Sequence, residues 1–378
     1  MSQQNDIYAD WGFSEDEIRS LRNNQGSALE KLTRCSITGA SEELRQKMLA
    51  DRFVLKGIAI LGQWTTIYGS PNSGKTLLTN WLLREAIENS QIESESVFYI
   101  NADDHFRGLV EKTELAEEWC MHMIAPHHND FAVNQIPELM SDMARDGSAN
   151  GVIFILDTLK KFTDLMDKRA ASEFGKAARG FVSAGGTLIA LAHTNKHKNS
   201  DGKTVYSGTS DIVDDSDCCY LIDKISTAEA EGKTIHTVEF RNIKMRGDVE
   251  PTVGFSYEKK VGQSYLELLN SVNRIGTEDV ENLKSFTETQ KQLAEDAEVI
   301  EVVCSLISEG VTTKDQLIKK SKASTTVSTR QIREVIERRT GESYLLGDRW
   351  KVRKGAHNRH EYAVLEAPSQ NSISAELE

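Results

Sequence analysis

Gly69-Ser70-Pro71-Asn72-Ser73-Gly74-Lys75-Thr76 is the stretch from which the fold of this chain can be read. A glycine, four free positions and then Gly-Lys-Thr is the spacing of a loop that holds phosphate. Gly69 and Gly74 let the backbone curl until its N–H groups point inward, where a side chain would block an anion. Lys75 sets a positive charge against the β- and γ-phosphates of a nucleoside triphosphate, and the Thr76 hydroxyl suits a Mg²⁺ ion. Residues 64–68 read as a strand and 77–87 as a helix whose N-terminal dipole faces the anion. The expected ligands are therefore ATP and Mg²⁺, held by Gly69, Ser70, Pro71, Asn72, Ser73, Gly74, Lys75 and Thr76.

Outward from the loop, short apolar runs at 97–100, 152–156 and 187–192 alternate with helical stretches, one of them near 106–117. Fully apolar runs separated by helices imply a parallel sheet covered on both faces. Residues 218–222, 234–244 and 263–268 read as further strands. The expected fold class is α/β: a phosphate-loop ATPase core with a mostly parallel sheet over 53–270, plus a small C-terminal domain. Residues 1–52 read as a polar helical segment, with periodicity at 14–21 and 41–49, that packs on a neighbour. Residues 271–295 read as a linker. Beyond it, helices at 297–308, 314–320 and 327–339 and a hairpin at 343–352, turning at Gly347-Asp348, describe a winged helix-turn-helix domain over 296–362. The tail, 363–378, reads as disordered.

The formal net charge of −13 excludes a protein that coats nucleic acid with its whole surface. The charge is uneven, however: about 13 Lys/Arg against about 5 Asp/Glu lie between Lys314 and Arg359. An acidic body with a basic end suggests one confined contact surface for a polyanion. No apolar run approaches the roughly 20 residues of a membrane helix, and the N-terminus lacks the pattern of a signal peptide, so a cytoplasmic location is expected. Five scattered cysteines with no C-x-x-C pair read as reduced thiols. The spacing of Cys120, His122, His127 and His128 fits no standard zinc pattern.

Asp157 ends the run 152–156, where ligands bind in open α/β sheets, and would share the Mg²⁺ with Thr76. Asp103 or Asp104, after the run 97–100, is the candidate to position an attacking water. His193, at the end of the run 187–192, is placed to touch a γ-phosphate.

The order of these parts resembles the RecA-type ATPases, above all the branch of plasmid RepA and the DnaB-like hexameric helicases. The resemblance covers about residues 55–260 and rests on the loop 69–76, Asp103-Asp104, Asp157 and His193-Thr194-Asn195 in sequence. Family members carry Glu where Asp103 stands. Ser207-Gly208-Thr209-Ser210, followed by Asp214, Asp215 and Asp217, is similar to the family's segment before a strand. Lys244 and Arg246 look like its Lys-x-Arg element, which implies a finger acting on a neighbouring subunit's γ-phosphate. The resemblance implies an oligomeric ATPase, a hexamer in the helicase branch, working on DNA in replication, with a replication-initiation partner in prospect. It also implies that Lys196, Lys198 and Lys203, with Lys160-Lys161 and Lys168-Arg169, line a channel for a single strand; plain solvated loops are the alternative. In the winged domain, Arg330, Arg333, Arg338, Arg339, Arg349, Lys351 and Arg353 are the candidate phosphate contacts to duplex DNA, with protein docking as the alternative. A nucleotide-switched DNA-binding, recombination or partition ATPase is the other reading of the whole.

Overall fold

The computed structural model describes residues 28–42, 45, 52–194, 211–230, 232–354 and 360–367. Two units emerge, Met1–Arg52 and Phe53–Glu378. In the first, α1 (Ala28–Arg34) leaves Leu29 and Leu32 exposed. The periodic stretch at 14–21 lies outside the described residues.

The second unit is built on a nine-stranded sheet. Its parallel part runs β5 (His122–Ile124), β4 (Val97–Asn101), β6 (Ile153–Asp157), β7 (Thr187–His193), β3 (Trp64–Gly69), β8 (Cys218–Ala230). The antiparallel strands β9 (Lys233–Lys244), β10 (Thr252–Lys260) and β11 (Asn273–Ile275) extend it beyond β8. Strands β1 (Phe53–Leu55) and β2 (Ala59–Ile60) form a separate small pair. The sheet is a mixed α/β core, mostly parallel, as the apolar runs imply: strands wet on neither face need no alternation. Strands β3 and β6 are buried along their whole length.

One face carries α2 (Lys75–Glu88), α3 (Phe106–Glu118) and α7 (Tyr265–Asn270), which bury Leu78, Leu82, Leu115 and Leu269 against β-strand residues. The other carries α4 (Ile136–Asp146), α5 (Lys168–Ser183) and the short α6 (Asp211–Asp215), with Met140, Phe174, Ala178, Phe181 and Ile212 in one cluster with Phe154 and Leu188. Among the described residues no helix is long and apolar enough to cross a membrane.

Three differences from the sequence reading have local causes. Residues 263–268 are not a strand: Ser264 and Glu267 form a reciprocal capping box that starts α7, and the strand falls instead at Thr252–Lys260. Residues 271–295 do more than connect. Asn273–Ile275 pairs with β10 as the sheet's edge, and Thr277–Glu295 is a helix, α8, seated over Gly254. Its Val280 is fully buried, and its Lys284 forms an ion pair with the buried Glu239 of β9.

The third difference is in the terminal region. Helices α9 (Ala297–Ser308), α10 (Lys314–Ser324) and α11 (Thr329–Arg338) enclose Val303, Leu317, Ile332, Ile336 and Trp350. Ser328 starts α11 with a capping box to Gln331. The hairpin is not at 343–352: β12 (Trp350–Lys354) pairs with β13 (His360–Val364). Gly347-Asp348 instead closes a turn before β12, with the Ser343 amide donating to the Asp348 carboxylate at 3.0 Å. Ala363 and Val364, expected in the disordered tail, belong to β13, and the Leu365 amide donates to the Arg349 carbonyl at 2.9 Å.

Gly254 shows why α8 can lie so close to the sheet. A Cβ there would stand 2.2 Å from Cγ2 of the fully buried Val280 and 2.6 Å from Ile275 Cγ1, both within clash distance. Gly254→Ala should therefore lower stability by about 1–3 kcal/mol through overpacking. Urea denaturation checks this; an unchanged midpoint would mean α8 does not hold this seat.

Candidate functional site

Strand β3 delivers Gly69 to the C-terminal edge of the sheet, and α2 begins at Lys75. The five residues between turn sharply. Asn72 and Gly74 have φ of 60° and 91°, and the Ser73 amide donates to the Ser70 carbonyl at 3.2 Å. Gly69 has a separate reason to lack a side chain: its Cβ would meet Ser73 Oγ at 2.6 Å. A Cβ on Gly74 would press on the Tyr257 ring at 3.3 Å. The loop is thus an open nest at a helix N-terminus, the arrangement that favours an anion.

Lys75 curls back over this nest, donating to the carbonyls of Gly69 at 2.8 Å and Ser70 at 3.0 Å. Burial lowers its pKa from 10.5 to about 8, against the opposing pull of Asp157 and Asp103. The hydroxyl of Thr76 donates to Asp157 Oδ2 at 2.8 Å, and the buried Tyr99 hydroxyl donates to the same oxygen at 2.8 Å. Burial, then Asp157, keeps Tyr99 protonated well above its ordinary range, so it stays a donor. Sheet register explains the convergence. Asp157 stands level with Asn101 on β4 and Leu191 on β7, while His193 stands level with Gly69.

Asp103 and Asp104 part company here. The Asp104 carboxylate forms an ion pair with the buried Lys112 of α3 and accepts from Asn101 Nδ2 at 2.8 Å. Burial alone would raise its pKa, but Lys112 and Asn101 bring it below the ordinary value. Asp103 is the more open of the two and lies 3.8 Å from His193 Nε2. Burial lowers the His193 pKa, helped by the charges of Lys75 and Lys160, which favours neutral imidazole.

These groups line one cleft of about 530 Å³. Its opposite wall comes from residues that the sequence reading did not single out. Lys224 on β8, His236 on β9 and Tyr257 and Lys259 on β10 close over the loop, with the His236 and Tyr257 rings 5.1 Å apart. Their alternation within β9 and β10 was readable. Their place beside Lys75 depends on the antiparallel extension of the sheet, which no local pattern announces. Tyr265 of α7 completes the wall, accepting a hydrogen bond from Asn80 at 2.9 Å and lying under the Lys112 ammonium.

Other expected residues stand apart from the cleft. Lys244 pairs with Cys219 beside Thr66, at the opposite edge of the sheet from the loop. Its ammonium donates to the carbonyls of Val213, at 2.8 Å, and Asp214. Arg246, largely exposed, lies 3.3 Å from Asp217. Asp217 also binds Arg179 at 2.7 Å and accepts from the Trp64 amide at 2.9 Å. Lys196, Lys198, Lys203 and residues 207–210 lie outside the described residues.

In the terminal region the arginines divide. Arg338 and Arg339 both clamp the buried Asp296, at 2.7 Å and 2.8 Å, and Arg339 is itself buried. Arg349 lies over the Tyr344 ring and donates to the carbonyls of Tyr344 and Asp348. Expected as phosphate contacts, Arg339 is buried and Arg338 and Arg349 give part of their donors to the chain, because a buried carboxylate and open turn carbonyls need them. Arg330 is exposed and paired with Glu334; Arg333 and Arg353 are exposed and Lys351 is half-buried.

No family model and no curated protein matches the chain. Among solved structures, it is similar to the crystal structure of the RadB recombinase, at 14% identity and a TM-score of 0.38, over 58% of this chain and 93% of that one.

The lowered Lys75 pKa has a directional consequence. Lys75 carries its charge below about pH 8 and loses it above. Affinity for ATP should be flat up to about pH 7, then fall by up to roughly tenfold per pH unit above pH 8. Titration with a fluorescent ATP analogue checks this, and Lys75→Met should abolish the pH dependence together with most of the affinity.

Proposed function

We propose that this protein hydrolyses ATP and works as a nucleic-acid-dependent oligomeric motor of the replicative-helicase kind, serving a plasmid, phage or other mobile element. The observation that carries the nucleotide part is the 2.8 Å hydrogen bond from Thr76 to Asp157 at the mouth of the Gly69–Thr76 loop. Two hard oxygen donors, far apart in sequence, meet where the phosphates would end. A hydroxyl beside a carboxylate is a donor set that suits Mg²⁺. The buried Ser73 hydroxyl, without a hydrogen-bond partner, fits a phosphate in the nest as well.

In this reading the loop amides wrap the β-phosphate, and Lys75 leaves the Gly69 and Ser70 carbonyls for the β- and γ-oxygens. The metal, bound through Thr76 and Asp157, would supply charge neutralisation on the phosphates. Tyr99 holds the Asp157 carboxylate in place. Asp103 orients the attacking water, since Asp104 is committed to Lys112. His193 answers to the γ-phosphate and passes its loss to the loop that follows. Tyr257 and His236 are placed to cover the nucleobase, with Lys224 and Lys259 adding positive charge over the cleft.

Lys244 and Arg246 lie too far across the sheet to serve their own cleft, so their proposed role is in the site of a neighbouring subunit within a ring, of six subunits on the helicase analogy. The proposed winged helix-turn-helix at the C-terminus would hold duplex or origin DNA through Arg330, Arg333, Lys351 and Arg353, while Lys196, Lys198 and Lys203 grip the single strand. A replication-initiation protein is the expected loading partner.

A nucleotide-switched recombination or partition protein is the second reading. It is favoured by Asp103, whose short carboxylate is already drawn toward His193 at 3.8 Å and would favour slow turnover. Strand displacement by the full-length protein separates the two: unwinding supports the motor, and DNA-stimulated hydrolysis without unwinding supports the switch.

Lys75→Ala should abolish ATP hydrolysis, measured as phosphate release. Mixing Arg246→Ala with Asp157→Asn subunits should restore part of the lost activity, because one of the two kinds of mixed interface pairs the intact cleft of the first with the intact finger of the second. No rescue in verified mixed assemblies would sink the trans role of Arg246.

A further inference from the structure

A second cavity, of about 400 Å³, opens beside the nucleotide cleft, and the two share walls. Its floor is apolar, with Phe106 and Leu109 of α3 facing Pro126 and Val133. Phe106 leaves 80% of its surface open, an unusual position for a phenylalanine that has a core within reach. The rim is basic or protonatable: His105, His127, His128 and Lys161. Asp104 is the one carboxylate among the described residues lining the cavity, and Lys112 neutralises it. The far wall is preformed, because the turn from His127 to Phe131 is closed by two backbone hydrogen bonds of 3.1 Å and 3.0 Å.

Two short segments belong to both cavities. Where β4 ends, Asn101 and Ala102 line the second cavity while Asp103 faces the phosphate cleft. In the turn after β6, Lys161 lines the second cavity, while the neighbouring Lys160 acts electrostatically on Lys75 and His193. Whatever fills the second cavity therefore presses on the turn that presents Asp103 to the cleft and on the turn whose Lys160 acts electrostatically on Lys75 and His193.

We propose that this cavity receives one unpaired base of a single-stranded nucleic acid, its ring against Phe106 and its flanking phosphate at Lys161 and the histidine rim. An aromatic floor with Lys161 and three hydrogen-bonding imidazoles at the rim matches the two halves of a nucleotide, a flat π-face and an anion. An apolar peptide side chain would use the floor and leave the rim unused. This inference rests on the ATPase reading and gives it a route by which a bound strand reaches the water-positioning carboxylate: seating of the base fixes the Asn101–Asp104 turn.

The test uses the full-length protein and a thymidine oligonucleotide carrying one photoreactive 4-thiothymidine. Irradiation should link it to the peptides bearing Phe106 or His127, identified by mass spectrometry. By fluorescence anisotropy, Phe106→Ala and Lys161→Ala should each weaken oligonucleotide binding, roughly tenfold for loss of the stack. Phe286→Ala, which removes an exposed phenylalanine on α8, should not. Crosslinks confined to other peptides, or unchanged affinity in Phe106→Ala, overturn the proposal. So does a Phe106→Ala variant that keeps its affinity but loses its oligomeric mass, since the cavity would then belong to a protein contact. Failure of this inference is separable from failure of the ATPase reading: protein that binds a fluorescent ATP analogue but shows none of these effects refutes the second cavity alone.

Discussion

The shared acceptor Asp157 Oδ2 is the point on which the site depends. It receives Thr76 from the loop helix and Tyr99 from the adjacent strand β4, each at 2.8 Å. A carboxylate that is 5% exposed would be costly without such donors. With them, it ties β6, β4 and the start of α2 into one rigid corner. The loop then needs only two glycines to stay open: Gly69 for want of space, Gly74 for its positive φ.

Around that corner the charged groups are sorted by what they neutralise. Lys112 takes Asp104 out of play, which leaves Asp103 as the freer carboxylate in the turn. Lys75 is held by its own loop carbonyls and partly stripped of its preference for the charged state by burial. That state suits an incoming polyphosphate, whose oxygens offer a stronger acceptor than two carbonyls. The same sorting occurs in the terminal region, where Asp296 claims Arg338 and Arg339 and leaves Arg330 and Arg333 on the surface.

Much of the central sheet was legible because its strands are apolar on both faces and end in chemistry. Asp157, His193 and the Asp103-Asp104 pair were all found by looking where apolar runs stop. The misread segments share a different property: their local signals compete. Residues 263–268 carry strand-like composition, yet a Ser264–Glu267 box starts a helix there. Gly347-Asp348 looks like a hairpin turn, yet Trp350 is anchored to Ile336 of α11 and to Thr340 just beyond it, and Arg349 to the Tyr344 carbonyl, so the pairing strands begin later.

By itself the sequence determined the phosphate-type loop, the alternation of strands and helices around it, and the carboxylates at strand ends, because each is a pattern of neighbouring residues with one physical meaning. Only the tertiary structure decided which of two adjacent aspartates is free, since Lys112 lies a full helix turn and more away in sequence. It alone also decided that Tyr257 and His236 close over Lys75, that Arg339 is buried against Asp296, and that Arg338 and Arg349 are tied to partners within the chain. Each of these depends on strand order and register, which place residues from distant parts of the chain within a few ångströms of one another.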